Sequence, residues 1–118
     1  MDVEYPSLVT SLENLTESYK ALKTQVNRVG SPSTIFVERY YERFDDIMRG
    51  LQCWTLLIRD LAESHTDIQY TILFHMYKNL ARKIGIMHCK FGIKLGHPGA
   101  RDGICEVNRL FQTTTFFQ

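Results

Sequence analysis

The sequence predicts an all-α protein, an elongated antiparallel bundle of three long helices followed by a short C-terminal helix. Apolar residues recur at alternating spacings of three and four along three segments, which is the heptad pattern of left-handed, coiled-coil-like packing. The breaks between these segments are short, so successive helices must run antiparallel. With 118 residues, of which 44% are hydrophobic, the chain has the size of one domain. We therefore expect residues 1–118 to form a single helical bundle.

The first helix is predicted at about residues 7–29. It begins near Tyr5-Pro6 or at Ser7, and it ends at Gly30 and Pro32, since a glycine just past a helix and a nearby proline stop it. Its apolar seam consists of Leu8, Leu12, Leu15, Tyr19, Leu22, Val26 and Val29. We expect this seam to face the core.

The second helix is predicted at about residues 33–64, with Ser33 as its N-cap. Gly50 lies inside it, and a glycine there costs about 1 kcal/mol relative to alanine. Such a glycine allows a close neighbour. The seam consists of Val37, Tyr40, Phe44, Ile47, Leu51, Trp54, Ile58 and Leu61. Further apolar residues beside the seam predict more than one neighbouring helix.

The third helix is predicted at about residues 67–91, after a polar break that supplies its N-cap. Gly96 and Pro98 stop it, and a short amphipathic helix is predicted at about 102–112. The third seam consists of Tyr70, Leu73, Tyr77, Leu80, Ile84, Met87 and Phe91. From the second and third seams we expect these core or interface anchors: Tyr40, Phe44, Trp54, Leu73, Tyr77 and Leu80.

Charge is unevenly divided along the chain, although the formal net charge is only +1. Residues 1–77 carry 7 basic and 11 acidic side chains, whereas residues 78–118 carry 7 basic and 2 acidic ones. One interpretation is nucleic-acid or other anion binding through Lys83, Lys90, Lys94 and Arg101. We favour the other interpretation, in which the basic side chains form a solvated face or complement the acidic half of the same or another subunit.

The cysteines and the first residues bear on the cellular compartment. Cys53, Cys89 and Cys105 are odd in number and widely spaced, which favours free thiols in a reducing, intracellular compartment such as the cytoplasm or nucleus. Residues 1–6 lack the pattern of a signal peptide. The best apolar stretch, residues 68–77, has about half the length of a bilayer span, so we expect no membrane partner.

A metal site would have to come from His88, Cys89, His97 and Cys105, the only group with a metal-like composition. Adjacent helical residues such as His88 and Cys89 point about 100° apart. The paired spacings typical of zinc sites are missing from this group. We therefore expect neither a metal nor another cofactor.

Arg59 and His65 suggest an enzymatic alternative. Their spacing resembles the Rx4-6H motif of HEPN ribonucleases, which are all-α and usually dimeric. The resemblance implies that His65 would act as an acid/base group and that Arg59 would stabilise the phosphate transition state. A histidine at a helix C-terminus is also a favourable partner of the helix dipole. An enzyme is therefore the alternative rather than our expectation.

The sequence as a whole favours a non-enzymatic function. We expect a small soluble helical interaction or assembly protein whose broad apolar helix faces bind a second copy or a partner helix. Its partner would be another copy of the chain, in a homo-oligomer, or a different protein. The alternatives are nucleic-acid or anion binding by the basic C-terminal third and a HEPN-like ribonuclease that uses Arg59 and His65.

Overall fold

Three long helices form the fold in a computed structural model that describes residues 5–104 and 106. They are α1 (Tyr5–Arg28), α2 (Thr34–Ser64) and α3 (Ile68–Lys94), and a short helical segment follows from Ala100. The helices pack against one another in an up-down-up order, with extents of 48 × 27 × 18 Å. No strand occurs among the described residues. The prediction of an elongated all-α bundle is confirmed.

Side-chain caps fix where α2 and α3 begin. The Ser33 hydroxyl accepts a hydrogen bond from the backbone N–H of Phe36 at 3.1 Å. The Asp67 carboxylate accepts one from the backbone N–H of Gln69 at 2.9 Å. Each cap satisfies a donor that the first turn of a helix leaves without an intrahelical partner. Both caps lie where the sequence predicts them.

A lysine of α3 closes the end of α1. The Lys94 ammonium donates to the carbonyl of Val26 at 2.6 Å, to that of Asn27 at 3.3 Å and to that of Val29 at 2.8 Å. The last carbonyls of a helix have no intrahelical partners and carry the negative end of its dipole, so a cation is favourable there. Lys94 thereby ties the final turn of α3 to that of α1.

The core runs along all three helices and is built from the predicted seams. A buried hydrogen bond joins α3 to α1 across it: the Tyr77 hydroxyl donates to the carbonyl of Leu8 at 2.7 Å. Gly50 lies where α1 and α2 approach, since a Cβ there would be 3.1 Å from Leu15 Cδ2, as the sequence predicts for a close neighbour. The largest fully buried side chains are Tyr40, Tyr77, Phe74, Phe91, Leu8, Leu22, Ile58, Leu73, Ile84 and Val26.

The end of α3 differs from the prediction. The helix continues about one turn beyond residue 91, through Gly92, to Lys94. Gly92 supports packing instead of ending the helix, because a Cβ there would lie 3.2 Å from Ala100 Cβ in the segment that folds back. That segment becomes helical at Ala100, before the predicted start at residue 102. Residues 105 and 107–112 of the predicted short helix lie outside the described residues.

Candidate interaction surface

The predicted anchor residues mostly build the core. Tyr40, Leu73, Tyr77 and Leu80 are buried, while Phe44 and Trp54 are half-buried and pack against the buried cluster. Trp54 also lines a groove between α1 and α2, in which Pro6 and Leu15 supply further apolar surface. The large apolar side chains that are most exposed lie outside the three predicted seams.

Such side chains lie on the first half of α3 and form what we call the apolar stripe: Ile68, Ile72 and Met76. They are exposed by 68%, 52% and 51%, respectively. Residues four apart are neighbours on one helix face, so the three side chains follow one another along α3. The neighbouring Leu73 and Tyr77 point into the core. The apolar stripe is therefore not part of the buried face of α3, which already packs in the core.

A second feature, the lysine groove, lies between α1 and α3 further along the bundle. Lys23 of α1 and Lys83 and Lys90 of α3 surround a hollow of about 140 Å³. Tyr19, Val26, Asn27, Ile86 and Met87 complete its lining. The described lining residues therefore combine three ammonium groups with apolar surface and include no carboxylate.

The stripe and the groove lie on one line along α3. Ile72 and Lys90 are about five full turns apart, so they have the same angular position on the helix. Between them, residues recur at alternating spacings of four and three, parallel to the core seam. We call this line the outer seam; its members are Ile72, Met76, Asn79, Lys83, Ile86, Lys90 and Ile93.

The structure separates the four predicted anion-binding residues. Lys83 and Lys90 share the lysine groove, whereas the Lys94 ammonium is bound to the carbonyls at the end of α1. Arg101 is exposed on the short segment after the loop. Lys23, which the sequence reasoning missed, joins the groove from α1. Its one signal is its place four residues after the seam residue Tyr19, which sets it beside that seam.

Lys23, Lys83 and Lys90 form no ion pair within the part of the chain that the structure describes. Ion pairs among the described residues include Lys20 with Glu17, Arg49 with Asp46 and Arg59 with Asp60. None of these pairs uses a groove lysine. The Lys23 ammonium lies 5.8 Å from the centre of the Tyr19 ring, on whose face a cation is attracted. The groove therefore presents positive charge to an incoming ligand.

His88 belongs to an aromatic contact between α2 and α3. The Tyr40 hydroxyl lies 2.9 Å from His88 Nδ1, and the Phe44 ring stacks on the imidazole with centroids 4.2 Å apart. Burial lowers the pKa of His88, the charge of His97 lowers it further, and Asp45 opposes the shift. Burial also raises the pKa of Tyr40. A neutral imidazole that accepts from the tyrosine hydroxyl fits both shifts.

His88 and Cys89, two of the four candidate metal ligands, contact different parts of the structure. His88 bonds to Tyr40, and Cys89 Sγ lies 2.9 Å from the position of a Cβ on Gly103. Burial raises the pKa of the Cys89 thiol, which disfavours the thiolate that a metal needs. Within the described part of the chain, no three His, Cys, Asp or Glu side chains are placed to hold a metal. Cys105 lies outside that part.

Arg59 and His65, the proposed ribonuclease pair, have different partners. An Arg59 nitrogen lies 3.7 Å from the Asp60 carboxylate. His65 caps α2, with Nδ1 3.1 Å from the Leu61 carbonyl oxygen and its ring 4.9 Å from that of Tyr70. The ribonuclease hypothesis stays a prediction. RNA cleavage that survives His65→Ala would exclude it.

No family model, curated protein or solved structure matches this chain. No helix among the described residues is both long and apolar enough to cross a membrane. The function is therefore inferred from the apolar stripe, the lysine groove and their common line along α3.

Proposed function

We propose that the protein is a helical interaction protein that acts through protein–protein contacts on the α1/α3 side of the bundle. The observation that carries the proposal is the apolar stripe, in which three large side chains remain more than half exposed on a helix whose other face is buried. A contiguous exposed apolar patch favours an interaction site over a random feature of the surface. The occupant would be a second copy or a helix of a partner.

The stripe alone is too small to hold a partner tightly. Covering the exposed half of each side chain is worth about 1 kcal/mol, so the three contribute about 3 kcal/mol. A micromolar complex needs about 8 kcal/mol. The partner must therefore also contact the surface around the stripe, and α1 and the rest of the outer seam are the adjacent elements.

Sedimentation equilibrium over a concentration series tests self-association. The wild type is compared with the double variant Ile72→Ser/Met76→Ser, which shortens two exposed side chains. A matched control, Ile35→Ser, removes a side chain that is also exposed, by 63%, but lies at the start of α2. Self-association through the stripe gives a mass that rises with concentration in the wild type and in Ile35→Ser but not in the double variant.

Fluorescence anisotropy with a leucine-rich amphipathic helical peptide tests partner binding. Binding that the double variant loses and Ile35→Ser retains supports the proposal. A wild-type protein that is monomeric at every concentration and binds no such peptide would overturn it.

Anion binding is a second candidate function, and the lysine groove is the observation that favours it. Single-stranded RNA is titrated at two salt concentrations against the wild type, Lys83→Gln/Lys90→Gln and the control Arg39→Gln/Arg43→Gln, which removes the same charge at exposed sites on α2. Affinity that falls steeply with salt and depends on Lys83 and Lys90 supports this function, because binding phosphates releases counterions. No binding at low salt excludes it.

The compartment we propose is intracellular and reducing. Cys53 is free and exposed, and Cys89 is free and half-buried. Free thiols persist where glutathione and thioredoxin keep cysteines reduced. Mass spectrometry of thiols alkylated in intact cells would test this, and oxidised Cys53 and Cys89 would contradict it.

A further inference from the structure

The outer seam of α3 changes from apolar to basic along its length. Met76 and Lys83 are about two turns apart, or about 10 Å along the axis, and Lys90 lies a further 10 Å on. An occupant that lies along the seam therefore meets apolar surface first and ammonium groups after about two turns. A short ligand could contact only one of these regions.

The lysine groove suits a helix that lies along it. Lys83 and Lys90 are one heptad apart, so they present two charges at the repeat distance of a packed helix. Lys23 supplies a third charge from α1, on the other side of the groove. Tyr19 and Ile86 line the hollow between them and offer apolar contact. The groove thus provides both the packing surface and the charges of a helix-binding site.

We infer that the outer seam binds an amphipathic helix of a partner protein that is apolar at one end and acidic at the other. Its apolar residues cover Ile72 and Met76, and its carboxylates, spaced by one heptad, lie over Lys83 and Lys90. This inference rests on the proposed function and deepens it by naming the chemistry of the partner. Charge complementarity sets which end of the partner helix lies at the stripe.

A second copy of this chain does not complement the whole seam. A two-fold axis brings the same surface of both copies together. If the two seams overlap fully in parallel, Lys83 and Lys90 face the same lysines of the other copy. If they overlap fully in the antiparallel direction, Lys90 faces the apolar stripe of the other copy, and Lys83, at the middle of the seam, lies close to the other copy's Lys83. A partner with carboxylates avoids both mismatches.

Nucleic acid complements only part of the seam. Phosphates bind Lys83 and Lys90 but leave Ile72 and Met76 uncovered on the same line. The neighbouring Lys94 ammonium is already bonded to the carbonyls of α1. The continuous line from apolar to basic residues therefore favours a helix over a polyanion.

The test uses the full chain and synthetic helical peptides about 28 residues long. One half of each peptide has leucines at successive heptad positions, and the other half has glutamates at the same positions. Both orders of the halves are made, because the seam fits a parallel or an antiparallel helix. Matched peptides carry glutamine instead of glutamate. Fluorescence anisotropy gives the dissociation constants at two salt concentrations.

Charge exchange then locates the binding site. Lys83→Glu/Lys90→Glu should weaken binding of the glutamate peptide about tenfold, and a peptide with lysines in place of the glutamates should recover the affinity. Arg39→Glu/Arg43→Glu is the matched control, since it changes the net charge equally at exposed sites on α2. Circular dichroism confirms that both variants are folded.

We expect the glutamate peptide, in one of the two orders of its halves, to bind the wild type at least tenfold tighter than the matched glutamine peptide. Its affinity should fall in the variant Ile72→Ser/Met76→Ser. If the two peptides bind equally and the serine variant still loses both, the acidic partner is excluded while the proposed function stands. If no peptide binds and the protein is monomeric, both fail. RNA binding that needs the lysines but not Ile72 and Met76 would overturn the inference in favour of a polyanion.

Discussion

The Tyr40 hydroxyl and His88 Nδ1 lie 2.9 Å apart and join the first part of α2 to the last part of α3. Tyr40 is 1% exposed whereas His88 is half-buried, so the bond lies at the edge of the core. With the Tyr40 hydroxyl as the donor, Nδ1 accepts the hydrogen bond and the proton of the neutral imidazole lies on Nε2. Protonating Nδ1 would remove the acceptor and place a charge against Phe44 and Tyr40.

Stability should therefore fall in mild acid because of His88. Its pKa in the folded protein is lowered, mainly by burial, from an ordinary value near 6.5. The unfolded chain takes up a proton at a higher pH than the fold does. The stabilisation is complete above about pH 6.5 and is lost as the pH falls below it towards the folded pKa.

Urea unfolding of the wild type and His88→Gln between pH 7.5 and 5 measures this effect. Glutamine can accept the Tyr40 hydrogen bond but does not titrate, so the variant should lose less stability over the range. Equal slopes for wild type and His88→Gln would contradict the assignment.

Removing the Lys94 ammonium should destabilise the end of α1. Lys94→Met keeps the long side chain but leaves the carbonyls of Val26 and Val29 without their donor, at a cost of about 1 kcal/mol. Urea unfolding gives the free energy, and amide exchange should speed up in the last turn of α1. Lys90→Met, one turn earlier in the lysine groove, is the control and should change neither. A stable, protected α1 in Lys94→Met would refute the capping role.

The effect of Gly103→Ala on the free energy of unfolding should change from destabilising to stabilising when Cys89 is replaced by alanine. A Cβ on Gly103 would lie 2.9 Å from Cys89 Sγ, so Gly103→Ala should destabilise the protein by about 1 kcal/mol or more. In a Cys89→Ala background the nearest remaining atom is the Cβ of residue 89, at 3.8 Å. The new alanine then gains up to about 1 kcal/mol over glycine as a helix former. Urea unfolding of the four proteins tests this; additive effects would rule out the contact.

Neighbouring residues of α3 should differ sharply in their effect on stability. Leu73→Ala opens a cavity in the core and should cost about 2 to 5 kcal/mol, since Leu73 is 1% exposed. Ile72→Ser changes a side chain that is 52% exposed and should cost about 0.5 kcal/mol or less. Thermal unfolding compares the two. A large loss in Ile72→Ser would mean that the stripe packs within the bundle rather than facing a partner.

The sequence alone predicts the helices well because their signals are local. Seam spacing identifies the buried face of each helix, and Ser33 and Asp67 mark the starts through bonds to residues two or three positions away. The structure extends α3 three residues beyond the approximate end predicted at residue 91, through Gly92. The role of Gly92 depends on Ala100 folding back on it, a tertiary contact that no local pattern reveals.

The candidate surface is predictable only in part. The sequence places Lys83 and Lys90 on one flank, but their relation to Ile72 and Met76 requires knowing that residues outside the core seam stay uncovered. Lys23 joins the groove only through the register between α1 and α3. That register is set by packing across the core, as in the Tyr77 bond to Leu8, and not by the pattern of either helix.

The bond from Lys94 to Val26 spans 68 positions of the chain, and this separation sets the order in which the protein can be completed during synthesis. The first helix leaves the ribosome without its cap. At about 5 to 20 residues per second, roughly 3 to 14 seconds pass before Lys94 has even been added. During that interval α1 and α2 can pair, but the last turn of α1 still frays. The helix that is made first is therefore finished last.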